Sequence, residues 1–173
     1  MTYIPDLEKA VLDLAQPASL VFIPHTMNTS QTFSVNDKVS LGTPDVKFGS
    51  WSPSINSNII TLSQGYYYYI QSAPQFYRAG SYSFPDNLHS TVQHYDETNS
   101  QYVGILGTVY TPSGQDSSNF SRDESCKYYV DCSSSPLNIS LKIQANSNHD
   151  YINYNSDHHI YAGHGRTIIW QLN

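Results

Sequence analysis

The stretch QGYYYYIQS, residues 64 to 72, contains four consecutive tyrosines between a glycine and an isoleucine. Side chains of a β-strand point alternately to the two faces of a sheet, so a strand here places two tyrosines on each face. Only one pair can enter the core of a two-layered β-sheet protein. The other pair lies outside, where either water or another protein chain covers the rings.

Both explanations for the outer pair have a physical basis. A tyrosine tolerates a wet face because its hydroxyl group stays hydrated while its ring shields the backbone. Several exposed rings on one sheet, however, make an apolar patch of a kind that monomers usually avoid, which favours burial by another subunit. Tyr102, Tyr128 and Tyr129, on neighbouring runs, would extend such a patch.

The chain around the tyrosines consists of short extended runs separated by polar turns. From Ile55 to Asn173 these runs are NIITLS, GYYYYIQSAPQFY, STVQHYDE, YVGILGTVYT, CKYYVDC, LNISLKIQAN and RTIIWQL. In LNISLKI the alternation is strict, because Leu137, Ile139 and Leu141 point one way while Asn138 and Ser140 point the other. Repeated short strands without a helical period predict an all-β antiparallel sandwich or barrel over residues 55–173.

The first third of the chain has a different character. PDLEKAVLDLAQ, residues 5 to 16, predicts a short helix that begins with a proline and ends before Pro17. Its apolar face contains Leu7, Val11 and Leu14 and needs a partner, either the chain's own sandwich or another protein. The runs that follow, up to residue 54, predict an extended arm whose strands complete the sandwich or lie against a neighbour. We therefore divide the chain into residues 1–54 and residues 55–173.

Composition excludes several classes of partner. The chain has 173 residues, a formal net charge of −6 and only eight lysines and arginines, so it lacks the basic face that nucleic acid binding requires. Its first residues carry acidic side chains within the apolar pattern and lack a basic start, which predicts neither a secretory signal nor a membrane-inserted segment. With 13% charged and 13% aromatic residues, the surface must consist largely of small polar and tyrosine side chains, as in adhesive or assembly surfaces.

No motif predicts catalysis, a metal or a cofactor. His158 and His159 are adjacent and point to opposite faces of a strand, so they are a poor metal pair. Cys126 and Cys132 are too few for a structural zinc site and are expected to be free thiols. The chain has no Gly-x-Ser-x-Gly motif of a serine hydrolase, and GHGR lacks the Lys-Ser/Thr ending of a phosphate-binding loop. We predict a non-enzymatic protein without cofactors.

Four segments together resemble one family of β proteins. YYYYIQSAPQFY, YVGILGTVY, LNISLKIQANSN and the ending IYAGHGRTIIWQLN are similar to the jelly rolls of the tumour-necrosis-factor and C1q type, in particular to the trimeric surface proteins of bacteriophage particles. The resemblance covers about residues 55–173 and implies a jelly-roll sandwich and a homotrimer. It also implies that the last strand, Thr167 to Leu172, runs through the middle of a sheet near the trimer core. The expected trimer-interface residues are Tyr66, Tyr68, Tyr102, Tyr128, Tyr129 and Trp170.

Three functions follow as expectations. The first is a trimeric structural protein at the virion surface, a capsid decoration or cement protein that is made in the host cytoplasm and contacts capsid or tail proteins through Leu7, Val11 and Leu14. The second is a spike or fibre-tip protein that binds host surface glycans, with Trp51, Tyr77 and Tyr82 as the expected ligand contacts. The third is a monomeric carbohydrate-binding module that uses the same aromatic side chains. Trimer formation separates the first two from the third.

Overall fold

The fold is an antiparallel β-structure, known here from a computed structural model that describes residues 18–26, 35–73, 77–78, 88–111, 122–144, 158–159 and 165–173. These ranges contain strands and turns and no helix. The predicted helix, with Leu7, Val11 and Leu14, lies outside the described residues. The strands are β1 (Ser19–Pro24), β2 (Asp45–Phe48), β3 (Ser54–Asn56), β4 (Ile59–Leu62), β5 (Tyr67–Ala73), β6 (Tyr77–Arg78), β7 (Leu88–Asp96), β8 (Gln101–Thr111), β9 (Arg122–Glu124), β10 (Cys126–Asp131), β11 (Leu137–Gln144), β12 (His158–His159) and β13 (Arg166–Leu172).

Ten of the strands follow one another in a single curled sheet, in the order β2-β1-β13-β5-β10-β8-β7-β11-β4-β3, and β9 pairs with β8 beside this path. The pair β6 and β12 forms a separate two-stranded sheet. Strands β10 and β8 share one register pair, Lys127 with Ile105, so the sheet is narrowly joined at this point. We call β2, β1, β13, β5 and β10 the first half of the sheet, and β8, β7, β11, β4 and β3 the second half.

The two halves face each other across the main core. Tyr68, Ile70 and Ile169 of the first half pack with Leu62 and Ile139 of the second half, and all five side chains are fully buried. Each of these residues lies at an inward position of a strand in which buried and more exposed side chains alternate. Apolar burial of this kind is the main source of stability in a fold of this size.

Strands from the first third of the chain are part of this sheet. β1 lies between β2 and β13, and its Val21 and Ile23 are completely buried in the core. The sequence left open whether this region completes the sandwich or lies against a neighbouring chain. Ser19–Pro24 and Asp45–Phe48 complete the sandwich. The last strand, β13, lies between β1 and β5 and so runs through the interior of the sheet, as expected from the resemblance.

Candidate interaction surface

The four tyrosines divide between the two faces of β5, but in the opposite sense to the one expected. Tyr68 is completely buried, its hydroxyl group donates to the Ser63 carbonyl oxygen at 3.1 Å, and its ring packs on Trp51 with centroids 5.1 Å apart. Tyr66 packs on the same side. Tyr67 and Tyr69 point outward and are half-buried. The assignment of Tyr68 to an intersubunit surface is therefore wrong, since the chain's own core covers it, and Tyr66 is half-buried on the same inner side.

Tyr69 belongs to a row of large apolar side chains that crosses five adjacent strands on the outer face of the first half. The register pairs Phe48 with Leu20, Leu20 with Trp170, Trp170 with Tyr69, and Tyr69 with Tyr129. We call these five residues the outer row. The two side chains at its ends are the most open, with Phe48 56% exposed and Tyr129 59% exposed. The three central residues are half-buried.

Ring contacts along the outer face hold the aromatic side chains in place. The Tyr69 and Trp170 rings are tilted by 40° with centroids 5.2 Å apart. The Tyr67 and Tyr129 rings are stacked, with centroids 6.2 Å apart and planes at 12°. Such pairs contribute about 0.5–1.5 kcal/mol beyond their buried area. The rings are consequently positioned before any partner binds, which lowers the entropy cost of binding.

A second row lies beside the first and carries charge as well as apolar surface. Across the strands it consists of Asp45, Phe22, Ile168, Gln71, Lys127 and Ile105. The Phe22 ring lies between two cations, with Lys47 Nζ 5.7 Å and Arg166 Cζ 5.6 Å from its centroid. Ile105, at the end of the row, is 66% exposed. Apolar surface therefore continues from the outer row to the joint between the two halves.

A bulge in β8 exposes the apolar side chains at that joint. Val92 pairs with Gly107 and His94 with Val103, so three residues of β8 lie opposite one residue of β7. The bulge contains Ile105 and Leu106, which is 39% exposed. It begins at Gly104, whose carbonyl oxygen accepts a hydrogen bond from Gln93 Nε2 at 3.0 Å.

Of the other expected interface residues, two lie on the outer row and two do not. Tyr129 and Trp170 are members of the row. Tyr128 points inward and packs against the core, with its ring centroid 6.2 Å from that of His94. Tyr102 lies on the outer side of the second half, where its hydroxyl group donates to Asn36 Oδ1 at 2.8 Å. Tyr128 is therefore not part of the outer row because it faces the core. Tyr102 is not part of it because it lies on the opposite side of the fold.

Of the expected ligand contacts, Trp51 is the one whose side chain the structure describes. Trp51 is half-buried: one side of its ring packs on Tyr68 and its Nε1 donates to Ser63 Oγ at 3.1 Å, so it is not an open platform for sugar stacking. Tyr77 lies in β6, where it pairs with His159. Tyr82 lies outside the described residues.

Sequence reasoning did not find a polar cluster inside the fold. His25 Nε2 lies 2.9 Å from Thr167 Oγ1, which lies 2.7 Å from Ser72 Oγ, which lies 2.9 Å from His94 Nε2. Cys126 Sγ lies 3.8 Å from His94 Nε2. All five residues are at most 2% exposed. Ser72 lies on the same face of β5 as Tyr68 and Ile70. This alternation was the one sequence signal that could have indicated a buried polar side chain at Ser72.

This cluster links β13, β5 and β7 through buried side-chain hydrogen bonds. Burial lowers the pKa of His94 to about 4, and burial with the neighbouring His94 lowers the pKa of His25 to about 3, so both rings are neutral near pH 7. Burial also raises the pKa of the Cys126 thiol to about 12, which keeps it protonated. Among the described residues His94 Nδ1 has no hydrogen-bond partner, so none of their carboxylates orients this ring toward Ser72 as in a triad.

Comparisons with known proteins do not assign the chain to a family. No family model matches the chain, and a search of curated proteins found no relative. Within the described ranges, no group of three or more histidine, cysteine, aspartate or glutamate side chains is placed to hold a metal ion. The same part of the chain has no helix with the length and apolar character needed to span a membrane.

Proposed function

We propose that the chain is a non-enzymatic homotrimeric structural protein whose subunits assemble through the outer row. The observation that carries the proposal is the uninterrupted run of Phe48, Leu20, Trp170, Tyr69 and Tyr129 across five strands. Fully burying a large apolar side chain contributes about 1.5–3 kcal/mol, so burial of the two half-open ends alone contributes roughly 1 kcal/mol each per subunit. Another copy of the same chain is a suitable partner for this surface, because it is present wherever the protein is made.

The strand order supports a jelly roll of the tumour-necrosis-factor and C1q type. Along the chain, β1 and β2 belong to the first half, β3 and β4 to the second, β5 to the first, β7 and β8 to the second, β10 to the first, β11 to the second and β13 to the first. Repeated crossing between two antiparallel layers is typical of jelly rolls. The resemblance of residues 55–173 to trimeric members of this family therefore has a counterpart in the connectivity.

Sheet dimensions favour three subunits. Neighbouring strands lie about 4.8 Å apart, so the six strands from β2 to β8 span roughly 24 Å. If three such faces form the sides of a triangle around a three-fold axis, the centre of each face lies about 7 Å from the axis. If four faces form a square around a four-fold axis, this distance is about 12 Å. Side chains fill roughly 5 Å on each side of two packed sheets, so rings as large as Trp170 and Tyr69 fit the triangular arrangement, whereas a square would leave an open channel.

We further propose that the trimer is a capsid decoration or cement protein at the virion surface. The support is the resemblance of residues 55–173 to phage surface proteins, together with the low fraction of charged residues in the chain, 13%. In this role the segment with Leu7, Val11 and Leu14 binds capsid or tail proteins. Deletion of residues 1–16 should then leave the trimer intact and abolish sedimentation with virus particles. A deleted chain that still sediments with particles would refute the attachment role.

Two single substitutions test assembly through the outer row. Tyr129→Lys places a charge on the row and should convert most of the trimer to monomer at micromolar concentration, as measured by sedimentation velocity. Tyr102→Lys, on the outer side of the second half, is the matched control and should leave the trimer unchanged. Dissociation by both variants or by neither would contradict the proposal, and a trimer-free wild type that binds glycans would select the carbohydrate-binding module instead.

A further inference from the structure

We propose, resting on the homotrimer above, that its interface joins the β2 edge of one subunit to the β8 bulge of the next, with Phe48 packing against Ile105. Closed three-fold symmetry requires two different patches that fit each other, because a patch that meets its own copy produces a two-fold dimer. The two ends of the outer face provide two such patches. Both are apolar: one lies at the free edge of the first half, in β2, and the other at the joint where β10 of the first half meets β8.

The first patch is the β2 edge. All four residues of β2 are exposed, and no strand pairs with its outer side among the described residues. Phe48, on the outer face, is 56% exposed, whereas Val46 is 37% exposed and lies opposite the buried Val21, on the inner face. An edge strand with large exposed apolar side chains is a site where other chains pair or pack, which proteins either cover or protect with charge.

The second patch is the β8 bulge together with Tyr129. Ile105 is 66% exposed, the highest value among the exposed large apolar residues of the described chain, and Leu106 is its neighbour. Ile105 lies directly opposite Lys127, so both side chains are on the outer face. The bulge therefore presents apolar side chains at the edge farthest from β2 on this face.

Charge favours joining unlike ends over joining like ends. A three-fold axis roughly parallel to the strands keeps residues at similar height, so side chains of the same cross-strand row, or of the row beside it, meet at the interface. In the second row Asp45 stands at the β2 end and Lys127 near the bulge end. If the β2 end of one subunit meets the bulge end of the next, the Asp45 carboxylate approaches the Lys127 ammonium group. If two like ends meet, two carboxylates or two ammonium groups approach each other. Asp45 also pairs with Lys47 in its own chain, and Asp131 lies two rows away from Lys127 on the same strand.

Cross-linking between introduced cysteines tests this pairing. Phe48→Cys and Ile105→Cys are made singly and together in the full chain and treated with a short bis-maleimide. Cys126 and Cys132 are at most 1% exposed and serve as the unmodified background. Within one chain the two positions stand roughly 24 Å apart, beyond the reach of the reagent, so links between them report neighbouring subunits.

The double variant should give covalent dimers and trimers on a denaturing gel, and each single variant should stay monomeric. Dimers from a single variant would show that like edges meet and would overturn the inference. A double variant that remains trimeric by light scattering without forming covalent links would overturn it as well, while leaving the proposed homotrimer in place. A monomeric wild-type chain would instead overturn the proposed function on which the inference depends.

Discussion

Tyr69 lies directly opposite Trp170 on the outer face of the sheet, with ring centroids 5.2 Å apart, while the next residue along the chain, Tyr68, is completely buried on the inner face. Two adjacent tyrosines thus have different roles. Tyr68 stabilises the fold of one chain, and in the proposed trimer Tyr69 provides surface for another chain.

Substitution of these two tyrosines should separate stability from assembly. Tyr68→Ala removes a buried ring and should lower the free energy of unfolding by about 3–5 kcal/mol. Tyr68→Phe removes only the hydrogen bonds to Ser63 and Gln171 and should cost about 1 kcal/mol. Tyr69→Ala should weaken the trimer and lower the free energy of unfolding of the dilute monomer by only about 1–2 kcal/mol, because the half-buried ring and its contact with Trp170 are lost. Urea unfolding followed by tryptophan fluorescence measures all three, and equal losses for Tyr68→Ala and Tyr69→Ala would contradict the assignment of faces.

Buried histidines should make the fold sensitive to acid. The pKa of His25 is lowered to about 3 and that of His94 to about 4, both mainly by burial, whereas unfolded histidines titrate near 6.5. Below about pH 6.5 the unfolded chain binds protons that the folded chain excludes, so stability falls as the pH falls. Each histidine should contribute a slope of up to about 1.4 kcal/mol per pH unit between pH 6 and its folded pKa.

Urea unfolding at pH 7.5, 6.0 and 5.0 measures this dependence. His94→Gln keeps a polar side chain that can contact Ser72 and should remove about half of the slope. His89, also in β7, is substituted by glutamine as a comparison. An unchanged free energy of unfolding between pH 7.5 and 5.0 would show that the histidines are not neutral and buried as described.

Gly104 should be intolerant of a side chain. Its φ is +75°, and a Cβ atom there would lie 2.3 Å from the Lys127 carbonyl oxygen. Gly65 is a matched control, because its φ is +97° but no atom lies within 4 Å of the Cβ position. Gly65→Ala should cost only about 1–2 kcal/mol of backbone strain, and Gly104→Ala clearly more. Thermal unfolding compares the two variants, and equal melting temperatures would contradict the close approach of β8 and β10.

Cys126 and Cys132 should be unreactive in the folded protein. Burial raises the pKa of Cys126 to about 12, and burial together with the charges of Asp131 and Asp96 raises that of Cys132 to about 11. The nucleophile is the thiolate, so reaction with a thiol-specific reagent at pH 8 should be slow in native buffer and immediate in denaturant, with two thiols titrated per chain. Rapid reaction of either thiol in native buffer would contradict its burial.

Alternation predicted most strands and their inward residues. Leu137, Ile139 and Leu141 and the run RTIIWQL have apolar residues at fixed spacing, and the corresponding strands β11 and β13 are observed. A two-residue period is a local property of the backbone, so a single sequence is sufficient to detect it.

The orientation of β5 was harder to predict, because four identical side chains carry no alternation. Ile70 was the available signal: it shares a face with Tyr66 and Tyr68, and Gln71 shares a face with Tyr67 and Tyr69. The outer row itself needs the register between β2, β1, β13, β5 and β10, strands that are far apart in sequence. Such long-range pairing is fixed by the fold as a whole and has no local sequence pattern.

The mass of the full-length chain in solution, measured by light scattering at several concentrations, tests the central claim most directly. Burial of the outer row by neighbouring copies predicts a mass near three times 19.5 kDa that persists on dilution to micromolar protein. A mass of 19.5 kDa at all concentrations would mean that water covers Phe48, Trp170 and Tyr129, and it would contradict the assembly proposed here.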